Sequence, residues 1–260
     1  MKTRLFWILF LSGMAGVASF LLVDLSALVS LFPVPAGSQV PTITPAIKIL
    51  SVIQPGVLVL AAVLIGIALS ARVGLSAPVA ECLATGRRWI PALRPQVVPG
   101  LLGGLVGALA IVLTAAVCTP FLRTDVVERI RIFARLLPLP TRLLYGGITE
   151  ELLMRWGLMT LLVWVTWRVL QRRATSPGKL CIVLAILISS FIFGLGHLPV
   201  AVFLIPETTL ALVLFVIVAN SSFGLVAGYL YWKYGLEAAL IAHMLCHVLL
   251  ATASYAGAYF

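Results

Sequence analysis

The chain has 260 residues, of which 62% are hydrophobic and only 10% are charged, and its mean hydropathy is +1.16. A soluble domain carries about 25% charged residues, so this composition excludes an ordinary water-exposed surface and predicts an integral membrane protein. The formal net charge of +10 arises from 18 Lys and Arg against 8 Asp and Glu. These basic residues fall between apolar segments, which is typical of topology signals and lipid-headgroup contacts, and nucleic-acid binding is not expected.

A helix needs about 20 apolar residues to cross a bilayer, and about eight segments of the chain meet or approach this length. The basic start and short apolar run at the N-terminus resemble a signal peptide, but the run continues to Val23 and predicts an uncleaved first helix. The predicted helices are Leu5–Val23, Ile47–Ser70, Gly100–Leu122, Leu143–Val169, Leu180–Leu198, Val200–Val218, Asn220–Trp232 and Gly235–Tyr255. With no internal repeat and no second domain, the expected fold class is all-α, a single polytopic membrane bundle over residues 1–260.

The bundle is expected to have three parts. Residues 1–122 are predicted to form the N-terminal helices, 123–142 an interfacial amphipathic segment, and 143–256 the helices that carry the chemistry. Two polar connections are expected in the first part, a loop from Phe32 to Pro45 and the stretch Ala71–Pro99. With eight crossings and the N-terminus inside, ten Lys and Arg lie inside and seven, including Lys233, lie outside. This small excess favours that orientation, and the predicted location is the bacterial cytoplasmic (inner) membrane.

Ionisable side chains inside apolar segments are costly, by about 2.5–3.5 kcal/mol for a central charge on insertion scales. This chain nevertheless places an adjacent acidic pair, an arginine and all of its histidines there. These residues are Glu150, Glu151, Arg155, His197, His243 and His247. Histidines without a role would fall partly in loops, so these side chains are predicted to meet around one intramembrane polar cavity.

Helical spacing supports such a meeting. Glu151 and Arg155 are four residues apart and lie on one helix face, so Arg155 is expected to hold Glu151 as an ion pair and leave Glu150 free. His243 and His247 share the same spacing and project to one side. Phe193 is expected to pack one turn from His197. Asn220 adds a polar group on the seventh predicted helix, and Phe193 and Asn220 are the expected substrate contacts.

These residue types suit hydrolysis. Glu150, aided by His197, would take a proton from a water molecule that attacks a carbonyl carbon. His243 and His247 would donate hydrogen bonds to the oxyanion that forms. The same groups could instead hold Zn²⁺, with ligands from Glu150, His197, His243 and His247 and one position left for water. The sequence does not separate a metal-free site from a zinc site.

Two other classes of function use the same residues. A proton-coupled transporter or channel would use Glu and His as a relay, and it would be expected to show inverted repeats. A non-catalytic membrane immunity or scaffold protein would keep its function when Glu150 is replaced. The crowding of ionisable residues into the C-terminal half favours an intramembrane endopeptidase acting on a membrane-associated peptide or protein.

The order of these motifs resembles that of one known family. The pattern Glu150-Glu151-x-x-x-Arg155, then Phe193-x-x-x-His197, then His243-x-x-x-His247 is similar to the CAAX-protease and bacteriocin-processing (CPBP, or Abi) family, which includes the Ras-converting prenyl protease. The resemblance covers about residues 149–247. It implies an eight-helix bundle with a cavity open to one side, a water-activating role for the first glutamate with His197 beside it, and oxyanion stabilisation by the last motif. That motif usually ends in Asn, whereas this chain has His247.

Overall fold

The computed structural model describes residues 1–31, 43–205 and 207–256. Within these ranges the regular secondary structure is entirely helical, which confirms the predicted fold class. The predicted loop from Phe32 to Pro45 falls largely outside the described residues. The helices in chain order are α1 (Lys2–Ser19), α2 (Leu25–Ser30), α3 (Pro45–Val73), α4 (Pro78–Thr85), α5 (Ile90–Cys118), α6 (Thr124–Leu136), α7 (Leu139–Leu170), α8 (Lys179–Gly196), α9 (Leu198–Leu204), α10 (Leu210–Tyr234) and α11 (Leu236–Tyr255).

In the described part of the chain, seven helical segments are long and apolar enough to cross a membrane, rather than the eight that were predicted. The difference lies in the sixth and seventh predicted helices. Residues 210–218 of the sixth and all of the seventh form the single helix α10, whereas residues 200–204 belong to α9. The expected break at Asn220 is absent because the side-chain amide of Asn220 donates to the carbonyl of Val216, one turn earlier in the same helix. Joining these helices moves Lys233 to the side that carries the other ten basic residues, which strengthens the predicted orientation.

The stretch Ala71–Pro99, predicted as a polar connection, contains α4 and the first turns of α5. Gly74 ends α3 in a left-handed conformation with φ of 73°, which glycine adopts at no steric cost. The short helix α4 then begins against α11. The backbone N–H groups of Val79 and Ala80 both donate to the carboxylate of Glu237, at 3.0 and 2.9 Å. This half-buried carboxylate therefore connects the start of α4 to the start of the last helix.

The amphipathic segment predicted over 123–142 is shorter in the structure. Helix α6 ends at Leu136, and residues 139–142 already belong to α7. The apolar face of α6, formed by Val126, Ile130 and Phe133, packs against a hydrophobic cluster that includes Leu204, Leu212 and Phe215. The amphipathic pattern is thus explained by packing against α9 and α10.

Glycines set the distance between α5 and the last two helices. A Cβ atom at Gly104 would lie 2.7 Å from the carbonyl oxygen of Ala242, and one at Gly103 would lie 2.5 Å from a methyl group of Leu230. These glycines allow a close approach of α5 to both helices. It brings α10 and α11 side by side and presents both helices to α7, which carries the first motif.

Candidate active site

The first motif lies on α7, which is wound as a π-helix over Arg142–Glu150 and again over Leu152–Met159. Windings of this kind are rare and recur at functional sites, because they change which side chains share a helix face. Glu151 lies between the two π-helical stretches. The helix thereby places Glu150, Glu151 and Arg155 in the middle of a predicted membrane span.

Glu151 connects two helices through its two carboxylate oxygens. Oε2 lies 3.2 Å from Nε of Arg155, one turn later in α7, and both side chains are fully buried. Oε1 lies 2.7 Å from Nδ1 of His243 on α11. The ion pair between Glu151 and Arg155 that helical spacing predicted is therefore present, and Glu151 also binds a histidine of the last motif.

Arg155 is anchored on a third helix. Its Nη2 donates to the carbonyl oxygen of Gly224 on α10, at 3.0 Å, and its guanidinium lies over the ring of Phe193, 5.2 Å from the ring centroid. A Cβ atom at Gly224 would approach Ser190 to within 2.9 Å, so a glycine is needed for α10 to lie this close to α8. Arg155 thus joins α7, α8 and α10 around Glu151.

His243 lies between the two glutamates of the first motif. Its Nδ1 faces Glu151, and its Nε2 lies 3.9 Å from Oε2 of Glu150. This second distance is too long for a hydrogen bond, but both groups are able to contact one small molecule placed beside them. Phe223 of α10 packs on the imidazole at 4.3 Å between ring centroids and helps to fix its orientation.

His197 follows directly after α8. Its Nδ1 lies 2.8 Å from the carbonyl oxygen of Phe193, so Nδ1 carries the proton and, in the neutral ring, Nε2 is left as an acceptor. The ring of Phe193 lies edge-on to both His197 and His243, with centroid distances of 4.7 and 5.9 Å. Phe193 therefore separates the two histidines and packs in the centre of the cluster, as its spacing from His197 predicted.

His247 stacks on His243, with 4.8 Å between ring centroids and 13° between ring planes. Its buried Nε2 has no hydrogen-bond partner within the described ranges. Gly146 of α7 provides the room for this ring, since a Cβ atom there would overlap Nε2. A buried ring nitrogen without a partner is costly and is available to a bound molecule.

Glu150 is more open than the residues around it. Its side chain is 20% exposed, whereas those of Glu151 and Arg155 are fully buried. A cavity of about 170 Å³ lies elsewhere, between α1, α4, α7 and α11, and its lining includes Leu152 and Glu237 but not Glu150. Glu150 and the half-buried His197 are the more accessible members of the polar cluster, and the predicted polar cavity around them stays a prediction.

Asn220 lies on α10, one turn before Gly224. Its amide nitrogen bonds within its own helix, and no contact with the glutamates or histidines is recorded among the described residues. The predicted role of Asn220 in substrate binding stays a prediction.

A zinc ion needs three protein ligands that converge on one point. In the described residues, no group of three or more His, Cys, Asp or Glu side chains is arranged to hold a metal ion. Nδ1 of His243 is engaged by Glu151, and Nδ1 of His197 is engaged by a backbone carbonyl. The donor set as placed does not fit a zinc site.

The contacts that support this cluster were not predicted from the sequence. Helical spacing paired Glu151 with Arg155 but not with His243, and it did not indicate the carbonyl of Gly224 or the space made by Gly146. The Gly146-Gly147 pair just before the glutamates was the available sign that a neighbouring helix approaches there.

Residues 132–249 match the family of Rce1-like type II CAAX prenyl endopeptidases. The match covers a little under half of the chain and contains all six charged and histidine residues of the cluster. It confirms the resemblance of the motifs to the CAAX-protease family. The comparison with curated proteins and the comparison with solved structures gave no match.

Proposed function

We propose that the protein hydrolyses a peptide bond of a membrane-associated substrate with a water molecule activated by Glu150, in keeping with the match of residues 132–249 to the Rce1-like CAAX prenyl endopeptidase family. The observation that carries this proposal is the approach of Glu150 Oε2 to His243 Nε2, at 3.9 Å, within a multi-pass helical bundle. These two groups come from different helices and lie close enough together to contact one small reactant.

Glu150 is the proposed base. A carboxylate is suited to accept the proton of an attacking water molecule and to return it to the leaving amine, and it is the more accessible glutamate of the pair. Glu151 is unsuited to this role because Arg155 and His243 occupy its two oxygens. His197 is half-buried and has Nε2 available as an acceptor, and its proposed role is to support the orientation of the water.

His243 and His247 are the proposed hydrogen-bond donors to the oxyanion. With Nδ1 of His243 held against Glu151, its Nε2 donates when the ring carries both protons, and the carboxylate of Glu151 then compensates the charge. His247 offers a buried Nε2 beside it. Such donors contribute about 2.7–4 kcal/mol each to the stability of an oxyanion intermediate.

The substrate is proposed to be a peptide or protein anchored in the same bilayer, in keeping with a site built inside membrane-spanning helices. A prenylated C-terminal CAAX sequence is the class that the family description names, and a leader peptide or a C-terminal sorting sequence would reach the site equally. The proposed location is a bacterial cytoplasmic membrane.

The test is a comparison of protein termini in cells that express the wild type or Glu150→Gln. The glutamine variant keeps the shape of the side chain but lacks a basic oxygen. Glu128→Gln is the matched control, because Glu128 is an exposed glutamate paired with Arg131 on α6. New termini that depend on Glu150 and persist in the control support the proposal. Identical sets of termini in all three strains would overturn it and would favour a non-catalytic role.

A further inference from the structure

Helix α1 contacts α7 directly beside the proposed base. The hydroxyl of Thr149, the residue before Glu150, donates to the carbonyl oxygen of Gly13 at 2.8 Å, and Thr149 is fully buried. A Cβ atom at Gly16 would overlap this hydroxyl, so only glycine lets α1 lie so close. The bond crosses between the two helices at the level of the catalytic cluster.

Further contacts continue along the same pair of helices. The hydroxyl of Thr141 donates to the carbonyl oxygen of Ser19 at 2.9 Å, and the rings of Phe20 and Tyr145 meet edge-on at 4.5 Å. Thr141 and Tyr145 lie nine and five residues before Glu150 in α7. They hold the helices together, whereas the Thr149 bond acts at the residue bonded to Glu150.

We propose that Thr149 is a positioning residue for Glu150. Helix α1 therefore helps to form the active site in addition to anchoring the chain in the membrane. The inference rests on the proposed function. A hydrogen bond from Thr149 to a neighbouring helix fixes the rotation of α7 about its axis at that point. Since Glu150 is the next residue, a small rotation would move its carboxylate away from His243, to which it lies at 3.9 Å.

The π winding makes this restraint more important. The hydroxyl of Thr149 also lies 3.5 Å from the carbonyl oxygen of Leu144. Leu144 is five residues earlier, which is the hydrogen-bond spacing of a π-helix. If the π-helical turn relaxed to α-helical geometry, the side chains that follow it would rotate about the axis of α7. The bond to α1 opposes that change because Gly13 belongs to a separate helix.

The experiment compares Thr149→Val, Thr149→Ala and Thr149→Ser with Thr141→Val as the matched control. The valine change replaces the hydroxyl by a methyl group, and the alanine change removes it without adding a group that could press on Gly13. Serine keeps the hydrogen bond. Each purified variant in vesicles would cleave a peptide that reproduces a Glu150-dependent terminus, with thermal unfolding measured in parallel.

The expected result is a fall in kcat of about 10- to 100-fold for Thr149→Val and Thr149→Ala, since misplacement of a reacting group by about 1 Å has effects of this size. KM is expected to change little, Thr149→Ser to restore kcat, and Thr141→Val to keep wild-type kcat even where it lowers the unfolding temperature. Equal kcat in the Thr149 and Thr141 variants, at wild-type level or reduced together, would overturn the positioning role. If Glu150→Gln cleaves the same peptide at the wild-type rate, the proposed function itself fails, which separates the two outcomes.

Discussion

Nδ1 of His243 lies 2.7 Å from Oε1 of Glu151, although 92 residues separate them in the chain. Because Arg155 holds the other oxygen of this carboxylate, Glu151 links the last motif to the first and is fully occupied in doing so. Of the two glutamates, only Glu150 has a partly exposed side chain. The adjacent acidic pair therefore divides into one residue that builds the site and one that is free to react.

Breaking the buried Glu151–Arg155 ion pair is expected to destabilise the bundle, because one charge is then left buried without its partner. Arg155→Met would leave the carboxylate of Glu151 without its cation and is predicted to lower the free energy of unfolding by about 3–5 kcal/mol. The double variant Glu151→Gln/Arg155→Met should recover part of this loss, because no charge is then left unpaired. Denaturant unfolding in detergent measures both, and a double variant less stable than Arg155→Met would contradict the pairing.

Gly146 is expected to be essential for the orientation of His247. Gly146→Ala places a methyl group where Nε2 of His247 lies and should lower kcat at least about tenfold, because the imidazole must turn away. In a His247→Ala background the same change should have little further effect. Gly56→Ala serves as the control, since a Cβ atom there meets only Met14 at ordinary contact distance. A full additive loss in the double variant would show that Gly146 acts elsewhere.

Metal removal is expected to leave cleavage intact. The residues predicted as zinc ligands do not form a three-ligand group in the described residues, and two of the histidines have one ring nitrogen already engaged. Protein purified without chelator, assayed for metal content, and then stripped of metal should retain its activity within about twofold. Loss of activity on stripping, with recovery on addition of Zn²⁺ alone, would instead support the zinc alternative.

Glu237 provides a contrast with Glu150, because it is also half-buried but lies away from the cluster. Its carboxylate accepts hydrogen bonds from the start of α4 and from the side-chain amide of Gln96. Glu237→Ala would leave these donors unsatisfied and is predicted to cost about 1–3 kcal/mol of unfolding free energy. Cleavage per folded molecule should remain close to wild type. A loss of kcat equal to that of Glu150→Gln, without loss of stability, would contradict this division.

The sequence predicted what lies within each helix better than what lies between helices. The i, i+4 spacing correctly paired Glu151 with Arg155 and placed His243 and His247 side by side. It could not show which glutamate His243 would meet, since that depends on the π winding of α7 and on how closely the helices pack.

The predicted break in the sixth membrane segment was wrong for a related reason. Asn220 and Ser222 look like residues at a helix end, but both side chains bond to carbonyls of their own helix, and the polar residues are accommodated in mid-span. The start of α5 was missed because Pro95 and Pro99 lie inside the helix, where proline usually indicates an end.

The central claim, that Glu150 activates the attacking water, is tested most directly by the cleavage rate of purified Glu150→Gln in vesicles, with a substrate peptide identified from Glu150-dependent termini. The account predicts a fall of about 10²- to 10⁴-fold in kcat, the usual contribution of a general base, with unchanged thermal unfolding. Cleavage by the folded glutamine variant at the wild-type rate would contradict it.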